Sequence, residues 1–167
     1  MKFTTIFRYL NSLIILLFVL VLFAACDDKE VPKNEIIEAF RAETGIDAIW
    51  VTDTVLFNTV VGWQGSGDYP GVDDWATATI PAGLDLYGGL PGQSEYYTID
   101  QTLIDVDTMQ VAYWESLQVK AHPTFGYRPW VGVFDLNETT TVAIAKTLAN
   151  DQYGAGGAWQ ILSLIHI

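Results

Sequence analysis

The hydrophobic pattern divides the chain into an apolar start and a longer, alternating body. Residues 13–26 form an unbroken apolar run, and the cations Lys2 and Arg8 precede it. The run is shorter than the roughly 20 apolar residues that a membrane-spanning helix needs. A basic segment, an apolar run and small residues in this order are typical of a secretory signal. The pattern therefore predicts a signal helix over residues 1–25, with an uncleaved anchor helix as the alternative.

Beyond the signal, the spacing of apolar residues first predicts a helix and then strands. A helix is predicted over residues 35–44, with Asn34 as its cap and Gly45 as its stop. Residues 48–63 are β-branched, aromatic and apolar, which favours one or two strands. The Gly- and Asp-rich residues 64–74 are typical of a loop.

The second half alternates short strand patterns with two helical patches. Strands are predicted at residues 77–80, 84–87, 130–134, 140–144 and 159–161. Thr98 with Gln101, and Asp107 with Gln110, have the spacing of capping boxes, and the second would begin a helix over about residues 108–119. The mixture predicts an α+β fold with a mostly antiparallel, twisted sheet and a few short helices.

The end of the apolar run carries the only cysteine of the chain. Residues 22–26 read Leu-Phe-Ala-Ala-Cys, which resembles a lipobox and makes Cys26 the expected lipidation site. Residues 26–33 would then be an acidic tether. Its acidic start resembles the surface-export signal of Bacteroidetes-type lipoproteins. We therefore expect a lipid-anchored protein of the outer membrane that faces the cell surface, with the membrane as a partner through Cys26.

The last residues of the chain differ in character from the rest. Residues 162–167 read Leu-Ser-Leu-Ile-His-Ile and resemble a translated sequencing adapter. We therefore expect this segment to be an artefact and the single domain to cover residues 34–161. The alternative is an ordinary C-terminal strand.

Charge and composition exclude several classes of function. All 20 acidic residues follow Cys26, whereas two of the 8 basic residues precede it, so the mature chain has a net charge of 6 − 20 = −14. Such a surface repels phosphate backbones, and we expect no nucleic acid partner. Outside residues 162–167, His122 is the only histidine, which leaves too few ligands for a zinc site. The aspartates of residues 64–74 do not have the spacing of a calcium loop, so we expect no metal.

One ordered set of motifs in the second half resembles a known family. The strings are TIPAGLDLYGGLPGQSEYYT, then GVFDLNETTTVAI, and finally NDQYGAGGAWQ, all within about residues 77–161. Their order, with a Gly-rich turn just ahead of Gln160, resembles the tuberculosis-necrotizing-toxin type of NAD glycohydrolase domain. The resemblance implies a toxin-like domain with NAD as its substrate and no separate cofactor.

The resemblance and the residue chemistry together give a set of candidate site residues. Gln160 would orient ribose, carboxamide or water, and Tyr97 would stack on the nicotinamide. His122 would serve as an acid or base, and Arg128 as a cation for the pyrophosphate. Further substrate-binding candidates are Tyr87, Tyr96, Gly154, Gly156 and Gly157. The three glycines would let N–H groups face phosphate.

The chain also departs from the family pattern, and the departures leave two functions open. Leu86 stands where the family has an arginine, residues 131–133 lack the family's histidine, and Ala158 replaces a glycine. Leucine cannot make the charge-assisted bonds of an arginine to pyrophosphate. The first hypothesis is a surface lipoprotein that cleaves the nicotinamide–ribose bond of NAD or transfers its ADP-ribose. The second is a non-catalytic lipoprotein that binds a sugar, a peptide or a partner protein through the same fold and a degenerate site.

Overall fold

The computed structural model describes residues 33–92, 94–124 and 126–164. The predicted signal helix, Cys26 and residues 165–167 lie outside these ranges. Within them, each helix is too short or too polar to cross a membrane.

The described residues form four short helices and seven strands. The helices are α1 (Lys33–Thr44), α2 (Thr54–Gly62), α3 (Asp100–Asp105) and α4 (Gln110–Ser116). The strands are β1 (Ile49–Trp50), β2 (Ala76–Ile80), β3 (Asp85–Leu90), β4 (Tyr96–Tyr97), β5 (Trp130–Asp135), β6 (Thr140–Lys146) and β7 (Trp159–Leu162).

The strands pair into two antiparallel sheets. The larger sheet has the order β1-β2-β6-β7-β4, and the smaller one consists of β3 and β5. Backbone bonds of 2.9 Å in both directions between Tyr87 and Thr98 join β3 to the residue after β4. The predicted α+β class with a mostly antiparallel sheet is confirmed.

Helix α1 covers one face of the larger sheet, as the sequence pattern predicts. Ile36, Ile37 and Phe40 are buried, and the Phe40 ring meets Trp159 of β7 edge-on at 5.2 Å between centroids. Gly45 ends the helix with φ of 73°, which suits glycine, and its N–H donates to the carbonyl of Arg41. Helix α1 begins at Lys33, so Asn34 lies inside it and is not the cap.

The prediction of strands over residues 48–63 is wrong for most of that segment. Only β1 is extended, and residues from Thr54 onward form α2. The Asp53 carboxylate accepts from the N–H of Leu56 at 2.9 Å and caps the helix. Leu56 and Val60, one helical turn apart, are buried against the larger sheet. This local cap and the tertiary burial outweigh the β-preference of the composition.

Both predicted capping boxes are also wrong. The residues before α3 and α4 are Ile99 and Met109, and neither start has a side-chain cap. The Thr98 hydroxyl instead donates to the carbonyl of Trp159 at 2.6 Å and so ties β4 to β7. Met109 is 60% exposed and not in the core.

The glycine bend that follows β6 is packed against the end of α4. A Cβ on Gly154 would lie 2.4 Å from the Glu115 carbonyl oxygen, and one on Gly156 would lie 2.4 Å from that of Leu148. The Thr147 hydroxyl donates to the carbonyl of Ser116 at 2.7 Å. The backbone of the glycine bend therefore lies against the backbone at the end of α4, an approach that only glycine permits, and it holds that end of the helix in place.

A buried carboxylate holds the loop between α2 and β2. Asp73 accepts from the Gln64 amide and from the N–H of Leu148, both at 2.8 Å. The Gln64 carbonyl accepts in return from the N–H of Asp73 and from the Trp75 indole. Burial raises the pKa of the Asp73 carboxyl above its usual range, and the bonds from Leu148 and Gln64 only partly offset this.

A matched pair of glycine substitutions tests the packing of the bend. Gly156→Ala is expected to lower the free energy of unfolding by about 3 kcal/mol or more, because a steric clash adds to the penalty of positive φ. Gly157 has φ of 94° but no atom within 4 Å of its Cβ position, so Gly157→Ala should cost only about 1–2 kcal/mol. Urea unfolding measures both, and equal losses would contradict the close approach.

The Asp73 carboxyl predicts a pH dependence of stability. Because its folded pKa is raised, its protonation contributes stability that is fully present below about pH 3.8 and is lost as pH rises through the folded pKa. Asp73→Asn should cost about 1–3 kcal/mol, because its amide would face the Gln64 donor. This cost should shrink as pH rises from 4 to 7 in urea unfolding. The exposed Asp151→Asn is the control, and a cost that grows with pH would refute the assignment.

Candidate functional site

A cavity of about 320 Å³ opens between α4 and the two sheets. Its walls come from β3, β4 and β7, from α4, from residues 117–123 and 126–128 after it, and from the loop that follows α2. The volume is within the range of about 300–1,000 Å³ that is usual for small-molecule sites. The cavity is therefore large enough to take a substantial part of a nucleotide-sized ligand.

Six of the predicted site residues line this one cavity. They come from five separate parts of the chain and are Tyr87, Tyr96, Tyr97, His122, Arg128 and Gln160. Strand pairing brings them together, since β4 and β7 are neighbours and β3 joins β4 through Thr98. Their chemical roles stay predictions.

The three glycines do not line the cavity, and the prediction that their N–H groups face a phosphate is wrong. Gly154 donates to the carbonyl of Asn150 at 2.8 Å, and Gly157 to that of Thr147 at 2.8 Å. Gly156 donates to the carbonyl of Glu115 at 3.3 Å. All three donors are used inside the protein, so the bend positions α4 and does not bind ligand itself.

Arg128 brings a cation to the cavity wall. Its guanidinium donates to the carbonyl of Gly89 at 3.4 Å, and its own carbonyl accepts from the Trp114 indole at 3.2 Å. Among the described residues no carboxylate pairs with it. Arg41, Lys120 and Lys146, in contrast, all have acidic partners. The guanidinium thus retains donors for an anionic ligand.

His122 and Lys120 stand on the same segment of the wall. His122 closes a tight turn with Gly126 through two backbone bonds, and its Nδ1 accepts from the N–H of Thr124 at 3.1 Å. The Lys120 ammonium bonds to the Asp68 carboxylate, which raises the pKa of the lysine. Lys120 is therefore charged, but Asp68 offsets its charge.

Aromatic rings form much of the apolar lining. Tyr97 is 3% exposed and meets Phe134 edge-on at 5.3 Å between centroids, so it is largely a core ring with one face on the cavity. Burial raises the pKa values of Tyr96 and Tyr113 well above the usual range. Both phenols are therefore neutral and suited to stacking or hydrogen bonding, not to action as bases.

Two glutamine amides complete the site. Gln160 of β7 and Gln118, just after α4, are each 8% exposed and border the cavity. The Gln118 Nε2 is buried and has no hydrogen-bond partner among the described residues. Sequence analysis missed Gln118, together with the cavity residues Gln64, Asp73, Tyr113 and Trp114, because only the tertiary fold brings them to the site.

Leu86 does not occupy a ligand-binding position. It is fully buried in the main core, while its neighbour Tyr87 faces the cavity. Adjacent residues of a strand point to opposite faces. Leu86 is therefore part of the core and is not among the residues that line this cavity.

A metal has no ready site in the part of the chain that the structure describes. No group of three or more His, Cys, Asp or Glu side chains converges there. Asp68 is bound to Lys120, and Asp73 to Gln64 and Leu148. The arrangement instead offers an arginine, aromatic rings and buried amides, which suits a ligand with anionic, aromatic and carboxamide groups.

Comparisons with known proteins identify the fold with a toxin domain. No curated protein matches the chain significantly. A solved structure, Rhs1-CT in complex with its cognate immunity protein RhsI1, shares 33% sequence identity and a TM-score of 0.63, and the match covers 67% of this chain and 86% of that one. Residues 53–164 match the family described as the Rhs1 C-terminal toxin domain, a span that begins ahead of the expected start at Thr77. The prediction of a toxin-type domain is confirmed, and the chain belongs to the Rhs1 C-terminal toxin domain family.

Proposed function

We propose that this toxin domain hydrolyses NAD at the bond between nicotinamide and ribose. The observation that carries the proposal is one cavity in which Arg128, with no carboxylate partner among the described residues, shares the wall with aromatic rings and the buried amide of Gln160. These are the groups that a dinucleotide needs, namely a cation for the pyrophosphate, a ring for stacking and an amide for polar contacts.

The chemistry requires positioning more than a strong nucleophile. The bond between ribose C1′ and the pyridinium nitrogen breaks, and nicotinamide leaves with the bonding electrons. Water then adds to the oxocarbenium-like C1′ and loses one proton, which gives ADP-ribose. A preorganised site accelerates such a step by holding the ribose and the water in place and by excluding bulk solvent. Gln160 can donate to a ribose hydroxyl or accept from the attacking water.

The charge distribution supports an anionic ligand at the Arg128 wall of the cavity. The mature chain is strongly acidic, so most of its surface repels phosphate. The wall from residue 118 to residue 128 carries Lys120, His122 and Arg128. The Arg128 guanidinium, which has a carbonyl but no carboxylate as neighbour among the described residues, is the group we assign to the pyrophosphate.

Exposed tryptophans favour a second function, in which the domain only binds a ligand or partner. Trp50, Trp63 and Trp130 are 48%, 45% and 70% exposed. Large exposed rings are common in binding surfaces. Because Rhs1-CT is described in complex with a cognate immunity protein, we also propose a dedicated protein inhibitor as a partner of this chain.

We further propose that the domain is tethered to the outer membrane and faces the cell surface. The lipobox-like segment, the single Cys26 and the acidic residues after it support this location. A permanent tether would limit the toxin to targets at contact distance, whereas cleavage after residue 33 would release it.

Nicotinamide release tests the proposed activity. Purified protein with NAD should release nicotinamide, and Gln160→Ala should reduce kcat at least a hundredfold, because the reacting groups lose their orientation. Arg128→Ala should raise KM about tenfold or more with a smaller change in kcat, because it removes a binding contact.

Arg41→Ala is the matched control, since Arg41 is exposed and pairs with Glu38 and Asp47 away from the cavity. It should change neither constant. Absence of nicotinamide release by the wild-type protein at high concentration would overturn the enzymatic proposal and leave the binding function.

Metabolic labelling tests the tether. In a host with lipoprotein-processing enzymes, the wild-type chain should incorporate an alkyne-labelled fatty acid and sediment with membranes. Cys26→Ser should lose both properties, because the thiol that takes the lipid is gone. An unlabelled wild-type chain that stays in the soluble fraction would contradict the lipoprotein assignment.

A further inference from the structure

Gln118 is the most unusual polar residue of the cavity. It has φ of 56°, a left-handed conformation that a non-glycine residue adopts at a cost of about 1–2 kcal/mol. Gln118 is 8% exposed, and its side-chain Nε2 is a buried donor that has no hydrogen-bond partner among the described residues. A buried amide donor without a hydrogen-bond partner destabilises the folded protein when no ligand is bound. Strain and an unpaired donor at one cavity residue indicate a functional role.

Gln118 and Gln160 line the same cavity, and hydrogen bonds hold the end of α4 beside the start of β7. The carbonyl of Ser116 accepts from the Thr147 hydroxyl at 2.7 Å and from the N–H of Ala158 at 3.3 Å. The C-terminal end of α4 is thus bound beside the residues that lead into β7 and Gln160. The Arg128 carbonyl accepts from Gln110 and from the Trp114 indole, which both lie in α4, ahead of Gln118 in the chain.

The surroundings of Gln118 suit an uncharged group. Leu117 and Tyr113 are buried and line the same wall. Lys120, the nearest cation along the chain, is bound to Asp68. A neutral donor between apolar side chains favours a carbonyl acceptor over a phosphate, which would need compensating positive charge.

We propose that Gln118 is a specificity-determining residue, whose Nε2 donates to the carboxamide oxygen of the nicotinamide ring. The inference rests on the proposed NAD hydrolysis and refines it by assigning the two ends of the ligand. The nicotinamide lies between Gln118 and Gln160, and the pyrophosphate lies toward Arg128. Gln118 holds the leaving group in place and takes no part in proton transfer.

Product inhibition separates the two ends of the ligand. Gln118→Met keeps the side-chain length and removes the donor. The inhibition constant of nicotinamide should rise about tenfold or more, because one buried hydrogen bond is lost. The affinity for ADP-ribose, measured by calorimetry, should stay within about twofold. A fall in ADP-ribose affinity without a change for nicotinamide, or no change for either ligand, would overturn the proposal.

Thermal unfolding without ligand distinguishes this role from a structural one. Gln118→Met should have a melting temperature equal to or above that of the wild type, because it removes an unpaired buried donor. Gln64→Met should melt lower, because the Asp73 Oδ2, the Asp73 N–H and the Trp75 indole all lose their hydrogen bonds to Gln64. Gln152→Met, on an exposed turn, is the neutral control. A clear loss of stability in Gln118→Met would assign the residue to the fold and contradict the proposal.

A second variant guards against effects of the strained backbone. Asparagine tolerates positive φ, so Gln118→Asn should fold, yet its amide is one methylene too short to reach the same acceptor. It should weaken nicotinamide inhibition as Gln118→Met does. If the wild-type protein releases no nicotinamide, the proposed NAD hydrolysis itself fails. If the wild type cleaves NAD but both Gln118 variants keep full nicotinamide affinity, only the role of Gln118 fails.

Discussion

The site depends on the close approach between the glycine bend and the end of α4. Gly154 and Gly156 bring the backbone within reach of Glu115 and Leu148, at distances that leave no room for a Cβ atom. Ser116 is bonded to Thr147 and Ala158, so the end of α4 is held beside the residues that lead into β7. The segment after α4 forms one wall of the cavity, and strands of the larger sheet form another. The glycines therefore shape the cavity indirectly, through the position of the segment they hold.

Electrostatics gives the cavity its selectivity. A mature chain with a net charge of −14 offers few places where an anionic ligand can bind. The described cations Arg41, Lys120 and Lys146 are neutralised by carboxylates, whereas the Arg128 guanidinium bonds to a backbone carbonyl. The buried amides of Gln118 and Gln160 offer directional bonds without charge. An elongated ligand with an anionic centre and a neutral aromatic end fits a cavity that has the cation Arg128 and the uncharged amides of Gln118 and Gln160 in its walls.

The sequence allowed the regular elements and part of the site to be predicted. Helix α1 follows from its apolar face and Gly45, and the strand positions follow from β-branched runs ended by glycine and proline. Helix α2 was not predictable, because its residues prefer strands and only the Asp53 cap and burial make them helical. The motif near Gln160 led to the cavity, although its glycines have a packing role. Gln118 lies in no motif, and its importance comes from a backbone angle and a burial that depend on distant residues.

The central claim is that one cavity holds the nicotinamide end and the pyrophosphate of the dinucleotide, with nicotinamide beside the two glutamines and pyrophosphate beside Arg128. A crystal structure of the Gln160→Ala variant soaked with NAD tests this most directly, since a slow variant keeps the substrate intact. The account predicts density for the nicotinamide ring between α4 and β7, with its carboxamide oxygen within hydrogen-bond distance of the Gln118 Nε2. A dinucleotide bound in the opposite direction, or at another surface while the cavity stays closed, would contradict it.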